Sequence, residues 1–590
     1  MSTAADAAEP GGRIRRRSPI TGRTVATAVV LGVLIYLIIG PLVMLFLSTF
    51  RDSHGALPFS PIATWTLDNY PAVLGRESTW RLLVNTFGFS LGALFLGFTV
   101  ACMLAWLTER TNMPFRNVLF VAVVASLGIP NVIIGIAWDL VLNPVNGLVN
   151  VFLRQSFGFA RPGPIDLYTL PGMIFVQGIS LVPITYLLVS AAFRAIDVSM
   201  EDAGAAAGAP FRTVMRRVTL PLLTPALLSA FVYQFVTVVE SFDIPLVIGI
   251  RAGIPVLSTQ IYVQAHPASG LPEYGLASTY SLFLLAIALG PLVLYNRIIS
   301  KSERYATITG RGYTPRRIDL GVWKVPAALF GLGFVILSFV TPALTLFWAS
   351  IQPFYALPSA ESFARITFAA YGEVFRNPAT LRAITNTLIL AVSVATGTLI
   401  LGTLVSWILV RTKSRARVLL DLLAFLPHAM PGVIIGLSIL LIYLIMDRAL
   451  PFPVYGTLLI IIIAQSTQYV SLATRLMSAG IAQIKLELEE AADISGASWG
   501  ATVRRILLPL IRPAFINGYL LVFLGSIKNL TLPLILGTPQ TVVLSTLVFG
   551  FWDKADTAST GAVGILALGI TVVMSIFLRR ATLHGGTLVA

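Results

Sequence analysis

Runs of about 20 apolar residues, parted by short polar or basic segments, recur along the whole chain. Each is long enough to cross a bilayer as a helix. Together they predict twelve spans, near 25–49, 82–107, 117–142, 169–193, 222–249 and 276–297, then 325–350, 383–409, 418–446, 456–480, 511–537 and 557–578. Composition agrees: 56% of the residues are hydrophobic and 11% charged, against about 25% charged in a soluble domain. A surface so poor in charge cannot face water, so the expected fold class is an all-α integral membrane protein.

The formal net charge is +15, which by itself would suggest nucleic acid. Its distribution gives another cause. The tail before the first span carries Arg13, Arg15, Arg16, Arg17 and Arg23. The apolar run after it is too long for a secretory signal and lacks a small-residue cleavage site, so it reads as a retained helix with a cytoplasmic N-terminus. Alternating sides from there, cytoplasmic segments hold about 29 of the 41 Lys and Arg. The richest is the segment with Arg297, Lys301, Arg304, Arg311, Arg316, Arg317 and Lys324. This is the positive-inside asymmetry of a chain with both termini cytoplasmic; lipid is the partner it implies, and no nucleic acid is needed.

Self-similarity at a fixed offset is the next signal. "AWLTERT" (Ala105–Thr111) matches "SWILVRT" (Ser406–Thr412), and "IPNVIIG" (Ile129–Gly135) matches "MPGVIIG" (Met430–Gly436). Pro41 pairs with Pro342, and "VNT" (Val84–Thr86) with "TNT" (Thr385–Thr387), all 301 residues apart. Further on, Gly208 pairs with Gly496, Pro221 with Pro509, Pro225 with Pro513 and Pro245 with Pro533, 288 apart. One insertion, placed in the outer segment around Asn143 to Asp166, explains the change of offset. The expected organisation is a basic tail (1–24), a first half (25–298), a basic linker (299–324), a second half (325–579) and a C-terminal tail (580–590). Each half has an even number of spans, so the two are parallel repeats.

Between spans four and five of each half lies a soluble-looking patch, "EDAGAAAGAPFRTVMRRVTLP" (Glu201–Pro221) and "EEAADISGASWGATVRRILLP" (Glu489–Pro509). Each sets an acidic pair (Glu201-Asp202; Glu489-Glu490) before a run of small residues, then a glycine (Gly208; Gly496), an Arg pair and Leu-Pro. Alanines behind an acid favour a short helix with a complemented dipole, and the glycine permits a sharp exit turn. The proline is expected to restart the chain as it re-enters the bilayer. Helices of this kind, near 200–210 and 488–498 and rigidly joined to spans, can pass motion from a soluble partner to the membrane part.

These residues resemble the E-A-A-x-x-x-G signature of the permease subunits of bacterial ABC importers. The second copy fits closely with Glu490, Ala491, Ala492, Gly496 and Leu508-Pro509; the first keeps Ala203, Gly208 and Leu220-Pro221 but has Asp202 for the Glu and Gly204 for the second Ala. Two such units fused over the whole chain, with the linker "RYATITGRGYTPRRIDLG" (Arg304–Gly321), resemble the iron(III)-type fused permeases, with thiamine-type ones as relatives. The resemblance implies the type I importer permease fold, two copies of an ATPase docked on the patches, an extracytoplasmic solute-binding protein, residence in the bacterial inner membrane, and alternating access. It implies iron(III) as cargo, while the same class also serves thiamine, phosphonates and polyamines. No Lys follows a Gly anywhere in the chain, so a G-x-x-x-x-G-K-[ST] phosphate loop is absent. ATP and Mg would be held by the partner, and no cofactor is expected here.

Charge inside a span costs about 2.5–3.5 kcal/mol per residue, so it marks candidate pathway positions. The fifth span carries Glu240 and Asp243, and the eleventh carries Lys528 and Asn529. At the 288 offset Lys528 aligns with Glu240 and Thr531 with Asp243. Three readings stand: a pathway lining, a Glu240–Lys528 pair across the axis, or wet positions near the outer ends. Gln177 and Gln465 align likewise. Asn131 and His428 flank the repeated Pro-x-Val-Ile-Ile-Gly run, His428 as an interface residue. The single Cys102 reads as a packed thiol, and the four histidines show no ligand spacing, so no metal site is expected. A nucleophile elbow is not expected either. An ion-coupled secondary transporter also shows parallel repeats, but it has no need of two such patches.

Overall fold

The computed structural model describes residues 22–52, 55–195, 199–302, 318–412, 416–447 and 450–586. The basic tail up to residue 21, linker residues Arg304, Arg311, Arg316 and Arg317, and His54 lie outside them. Twenty helices in two matched sets of ten carry the fold. The first half contains α1 (Val25–Ser48), α2 (Glu77–Arg110), α3 (Arg116–Ser126), α4 (Asn131–Leu142), α5 (Leu170–Ala195), α6 (Ser199–Ala206), α7 (Phe211–Val239), α8 (Pro245–Ala252), α9 (Leu257–Ala265) and α10 (Tyr274–Ser302). The second contains α11 (Gly321–Ser350), α12 (Pro378–Arg411), α13 (Arg417–Ala429), α14 (Gly432–Met446), α15 (Leu458–Ala482), α16 (Glu487–Ile494), α17 (Gly500–Lys528), α18 (Thr531–Leu536), α19 (Leu544–Asp553) and α20 (Thr557–Gly586). The expected C-terminal tail from 580 is thus helical as far as Gly586. Among the described residues the strands are two residues each, Arg51–Asp52 paired with Thr64–Trp65.

Nine of the twelve expected spans are long apolar helices, the tenth is a single helix of 25 residues (Leu458–Ala482), and the third and ninth are not straight. They bend by 100° between α3 and α4 and by 109° between α13 and α14. The cause is in the repeated motif: Pro130 and Pro431 have no N–H to continue a helix and stand as the N-caps of α4 and α14. The fifth and eleventh spans end earlier than expected, at Val239 and Lys528. A separate hairpin of short helices, α8 and α9, comes after the fifth span and is bent by 84°; α18 and α19 are its counterpart after the eleventh.

The prolines of the patches behave differently from the expectation of a restart. Four positions hold π-turns immediately before a proline: 35–39 before Pro41, 336–340 before Pro342, 215–219 before Pro221 and 503–507 before Pro509. The helix passes the missing donor by widening one turn, with Gly40 N–H bonded to Ile35 O, Thr341 to Ile336, Leu220 to Met215 and Leu508 to Val503. So α7 and α17 run continuously from the patch into the membrane, as single rods.

The two halves are interlocked. Helix α1 packs on α14 of the second half, where the Tyr36 and Tyr443 hydroxyls meet at 2.7 Å, and α11 packs on α3 and α4 of the first. Within each half the tightest pairing is α2 with α5, and α12 with α15. Small residues allow it: a Cβ on Gly97 would lie 2.7 Å from the Gly178 carbonyl oxygen, and one on Gly402 would lie 2.8 Å from the Ala473 Cβ.

Gly97→Leu is expected to lower the thermal midpoint of the purified protein in detergent, at a cost of about 1–3 kcal/mol for overpacking. Gly290→Ala, in a helix with open space around its Cα, should leave the midpoint unchanged or raise it slightly.

Candidate functional site

Both patches fold as the sequence suggests. Helices α6 and α16 are eight residues each and close with the same C-cap. Gly208 (φ +79°) and Gly496 (φ +75°) take left-handed conformations, while Ala209 N–H bonds to Gly204 O at 3.1 Å and Ala497 N–H to Ala492 O at 3.0 Å. These glycines allow the chain to double back at once into α7 and α17.

The acidic pair divides its labour. The first acid of each turns inward to an arginine at the end of α2 or α12: Glu489 lies 2.6 Å from Arg411, and Glu201 3.6 Å from Arg110. Glu201 also accepts from Thr219 Oγ1 at 3.0 Å. The same arginines bind carbonyls at the ends of α5 and α15, two spans on: Arg110 to Phe193 O (3.0 Å), and Arg411 to Ile481 O (3.2 Å) and to Ile484 O just past the helix (2.7 Å). Each arginine thus rivets the short helix to two spans. Sequence reasoning alone does not reach Arg110 and Arg411 as site residues, although the repeated Arg-Thr of "TERT" and "LVRT" marks them. Of the second acids, Glu490 is exposed and Asp202 half-exposed, beside exposed Ala203 and Ala491; Ala492 is buried against the fold. Ile494, 88% exposed, stands one turn on from Glu490. The Arg216-Arg217 and Arg504-Arg505 pairs are exposed in the first turns of α7 and α17, at the membrane edge and not at a helix C-terminus.

The spacing G-x-S-x-G does occur, at Gly496 to Gly500. It is no nucleophile elbow. It joins two helices instead of a strand and a helix, and Ser498 Oγ accepts from Ala501 N–H at 3.4 Å as a helix N-cap.

Between the halves lies a cavity of about 220 Å³, lined by Asn131, Gln177, Glu240, Asp243, Gln468 and Lys528 among others. The helix breaks face it. At the end of α3, Val124, Ala125 and Ser126 oxygens are satisfied by the next N–H groups, and Leu127 O accepts from Lys528 Nζ of the other half. Lys528 therefore serves a helix C-terminus, where a cation is favoured, and makes no ion pair with Glu240 among the described residues. Asp243 accepts from Thr531 Oγ1 at 3.4 Å, so the two aligned positions meet across the axis. Glu240 and Asp243, both half-buried, line the cavity. Asn529 is not on the cavity: its Oδ1 accepts from Leu532 N–H (3.0 Å) at the start of α18 and its Nδ2 donates to Gln468 (2.8 Å). Gln177 lines the cavity and accepts from Ser241 (2.7 Å), whereas Gln465 is buried against Ser526. His428 stacks on Tyr233, ring centroids 5.1 Å apart. Among the described residues no three His, Cys, Asp or Glu side chains gather as a metal site.

Compared with known proteins, the chain matches the family described as "binding-protein-dependent transport system inner membrane component" twice, over residues 93–303 and 398–582. The chain belongs to this family. The permease is similar over nearly its whole length to the ferric transport system permease protein FbpB of Actinobacillus pleuropneumoniae, 26% identical over 94% of this chain and 77% of that one. An Fe(3+)-transport system permease protein of Haemophilus influenzae is 24% identical over 85% and 90%. A putrescine transport system permease protein of Escherichia coli is 29% identical, covering 86% of its own length with 42% of this chain, as a single unit set against a fused pair would. The permease is thus a multi-pass inner-membrane transport subunit and not itself an enzyme. Both family matches begin inside α2 and α12, leaving out the exchanged helices α1 and α11.

Replacing Arg411 by Ala would strand Glu489 and two carbonyls, a loss of about 3 kcal/mol for a mostly buried pair. Limited proteolysis of the membrane-inserted protein is expected to cut near α16 at least tenfold faster, with a smaller effect at α6 for Arg110→Ala, whose pair is longer.

Proposed function

We propose that the permease is the iron(III) pathway of an ATP-driven importer. Two copies of a separate ATPase dock on α6 and α16, and a solute-binding protein delivers cargo on the opposite face. ATP and Mg belong to the ATPase, and both termini of this chain lie in the cytoplasm, on the side of the two short helices. The observation that carries the coupling role is their duplication: two short surface helices, each riveted by an arginine to two spans and joined by a glycine turn to a rod that passes its proline through a π-turn. Force on Glu490, Ala491 or Asp202, Ala203 is therefore delivered through the arginine to α12 and α15 or to α2 and α5, as well as along the chain to α17 or α7.

The cargo reading rests on the full-length likeness to ferric permeases together with the cavity. Its charged groups are two carboxylates and one ammonium, a formal excess of one negative charge when all are ionised, which favours a cation. Oxygen donors from Glu240, Asp243, Asn131, Gln177 and Gln468 suit a hard cation, and the lack of a three-ligand cluster among the described residues suits passage over retention. A polyamine is the second reading, favoured by the same carboxylates and by the likeness to the putrescine permease.

Reconstituted with its ATPase in nanodiscs, the permease is expected to show ATP hydrolysis stimulated by the binding protein loaded with iron(III), and not by the empty protein. Stimulation by the putrescine-loaded protein alone would move the cargo to polyamines. Glu490→Lys or Gly496→Glu should abolish ATPase association while the protein still inserts; normal transport in either variant would refute the docking role. Glu240→Gln should slow iron uptake at least tenfold with assembly intact, and wild-type uptake would remove it from the pathway.

A further inference from the structure

Outward of the cavity, one seam between the halves is closed by a polar cluster, built on the buried Asp139 and Trp552 and the part-exposed Arg251, that the transport reading leaves unused. Helix α4 lines the cavity through Asn131 and Ile134. Five residues beyond Ile134, roughly 7.5 Å along the helix towards the outer loop, sits Asp139, 4% exposed. Its Oδ1 accepts from Tyr168 Oη at 2.7 Å and Asn143 Nδ2 at 3.2 Å. Its Oδ2 accepts from Trp552 Nε1 of the second half at 3.1 Å, with Arg251 Nη1 at 3.7 Å. The Arg251 guanidinium lies over the Trp552 ring, 3.6 Å from its centroid. The first half therefore holds the other half's tryptophan twice, by its N–H edge and by its face. Beside it Tyr355 Oη, also of the second half, donates to Leu140 O at 2.9 Å.

The repeat does not reproduce this grip. At the matching positions Asp139 becomes Leu440, Arg251 becomes Pro539, and Trp552 becomes Ala265, so the opposite seam, where α9 packs on α14, is apolar at these places. The two seams would open at different cost. Hydrogen bonds broken at the polar seam can be replaced by water, because the net worth of each is only about 1 kcal/mol. Apolar surface parted at the other seam has no such compensation.

We propose that Asp139, Trp552 and Arg251 form a one-sided latch that closes the outer end of the transport pathway and must release for cargo to enter. Trp552 is the moving bolt, and Asp139, fixed by Tyr168 and Asn143, is the catch. The proposal rests on the proposed orientation, with α6 and α16 cytoplasmic, but not on the identity of the cargo.

The test reads outside access to the cavity and needs neither cargo nor ATPase. In a Cys102→Ser background, Thr237→Cys places a reporter in the cavity lining, and spheroplasts are treated with a membrane-impermeant maleimide. Trp552→Phe keeps an aromatic face and removes the N–H; Asp139→Asn keeps the shape and removes the charge. Each is expected to raise the labelling rate at Thr237→Cys at least fivefold. A variant that reaches the membrane at the wild-type level and labels at the wild-type rate would overturn the latch. Val145→Cys, in the outer loop, reports orientation: it should label in every background. Failure there would overturn the orientation and the latch together, whereas labelled Val145→Cys with unchanged Thr237→Cys would overturn the latch alone.

Discussion

Within lipid every backbone N–H and C=O must find its partner inside the protein, and the distinctive features of this permease are the places where a straight helix cannot supply one. Of the prolines that remove a donor from a spanning helix, Pro41, Pro221, Pro342 and Pro509 each follow a π-turn that passes the gap without breaking the rod. Pro130 and Pro431 stand at true breaks, and the freed groups there are satisfied by short local bonds and by Lys528 from the other half. The hairpins after α7 and α17 pose the same problem. Thr86 and Thr387 accept from the first N–H groups of α9 and α19, Leu257 and Leu544, at 3.0 and 2.9 Å. Asn85 and Asn386 hold the carbonyls of Pro255 and Val542. The repeated "VNT" and "TNT" are thus the supports of the irregular backbone next to the cavity.

Satisfying that backbone leads directly to function. A broken helix inside a bundle exposes carbonyls and polar side chains only where they face a cavity, and here the two breaks and the ends of α7 and α17 converge on one. At the membrane edge, the same accounting puts Arg110 and Arg411 on the last carbonyls of α5 and α15, with Glu201 and Glu489 held as counter-ions. Ordering a short surface helix and ending a span are done by one side chain, which ties the patch to two spans.

Duplication gives the frame and divergence gives the direction. Aligned positions meet across the axis at Asp243 and Thr531, but Glu240 and Lys528 have opposite charges and different neighbours. The result is a cavity with one committed ammonium and two carboxylates, and an outer face whose two seams are chemically unlike. The linker adds a further asymmetry. Ile318 bridges to the Arg110–Asn112 segment, and Asp319 accepts from Asn112 at 2.7 Å and pairs with Lys324 at 2.9 Å. Those donors, with the Gly321 N–H, hold its carboxyl well below the usual carboxylate range. Only the first half has the turn after its second span tied in this way among the described residues.

The sequence by itself determined that the chain spans the membrane, that it is a parallel duplication, and that each half carries a short acidic-alanine helix ending on a left-handed glycine. These are local or periodic properties: hydropathy over a window, a constant offset, a cap that needs only its own few residues. Only the tertiary structure decided which acid of each pair faces outward, because that depends on an arginine 78 or more residues away in sequence. The kinks at Pro130 and Pro431 were legible as prolines but not as bends of 100° and 109°, since proline at a π-turn leaves a helix continuous. The partners of Lys528 and Asp139 lay beyond any pattern in the sequence, because each is fixed by how two interlocked halves bring together groups up to 413 residues apart.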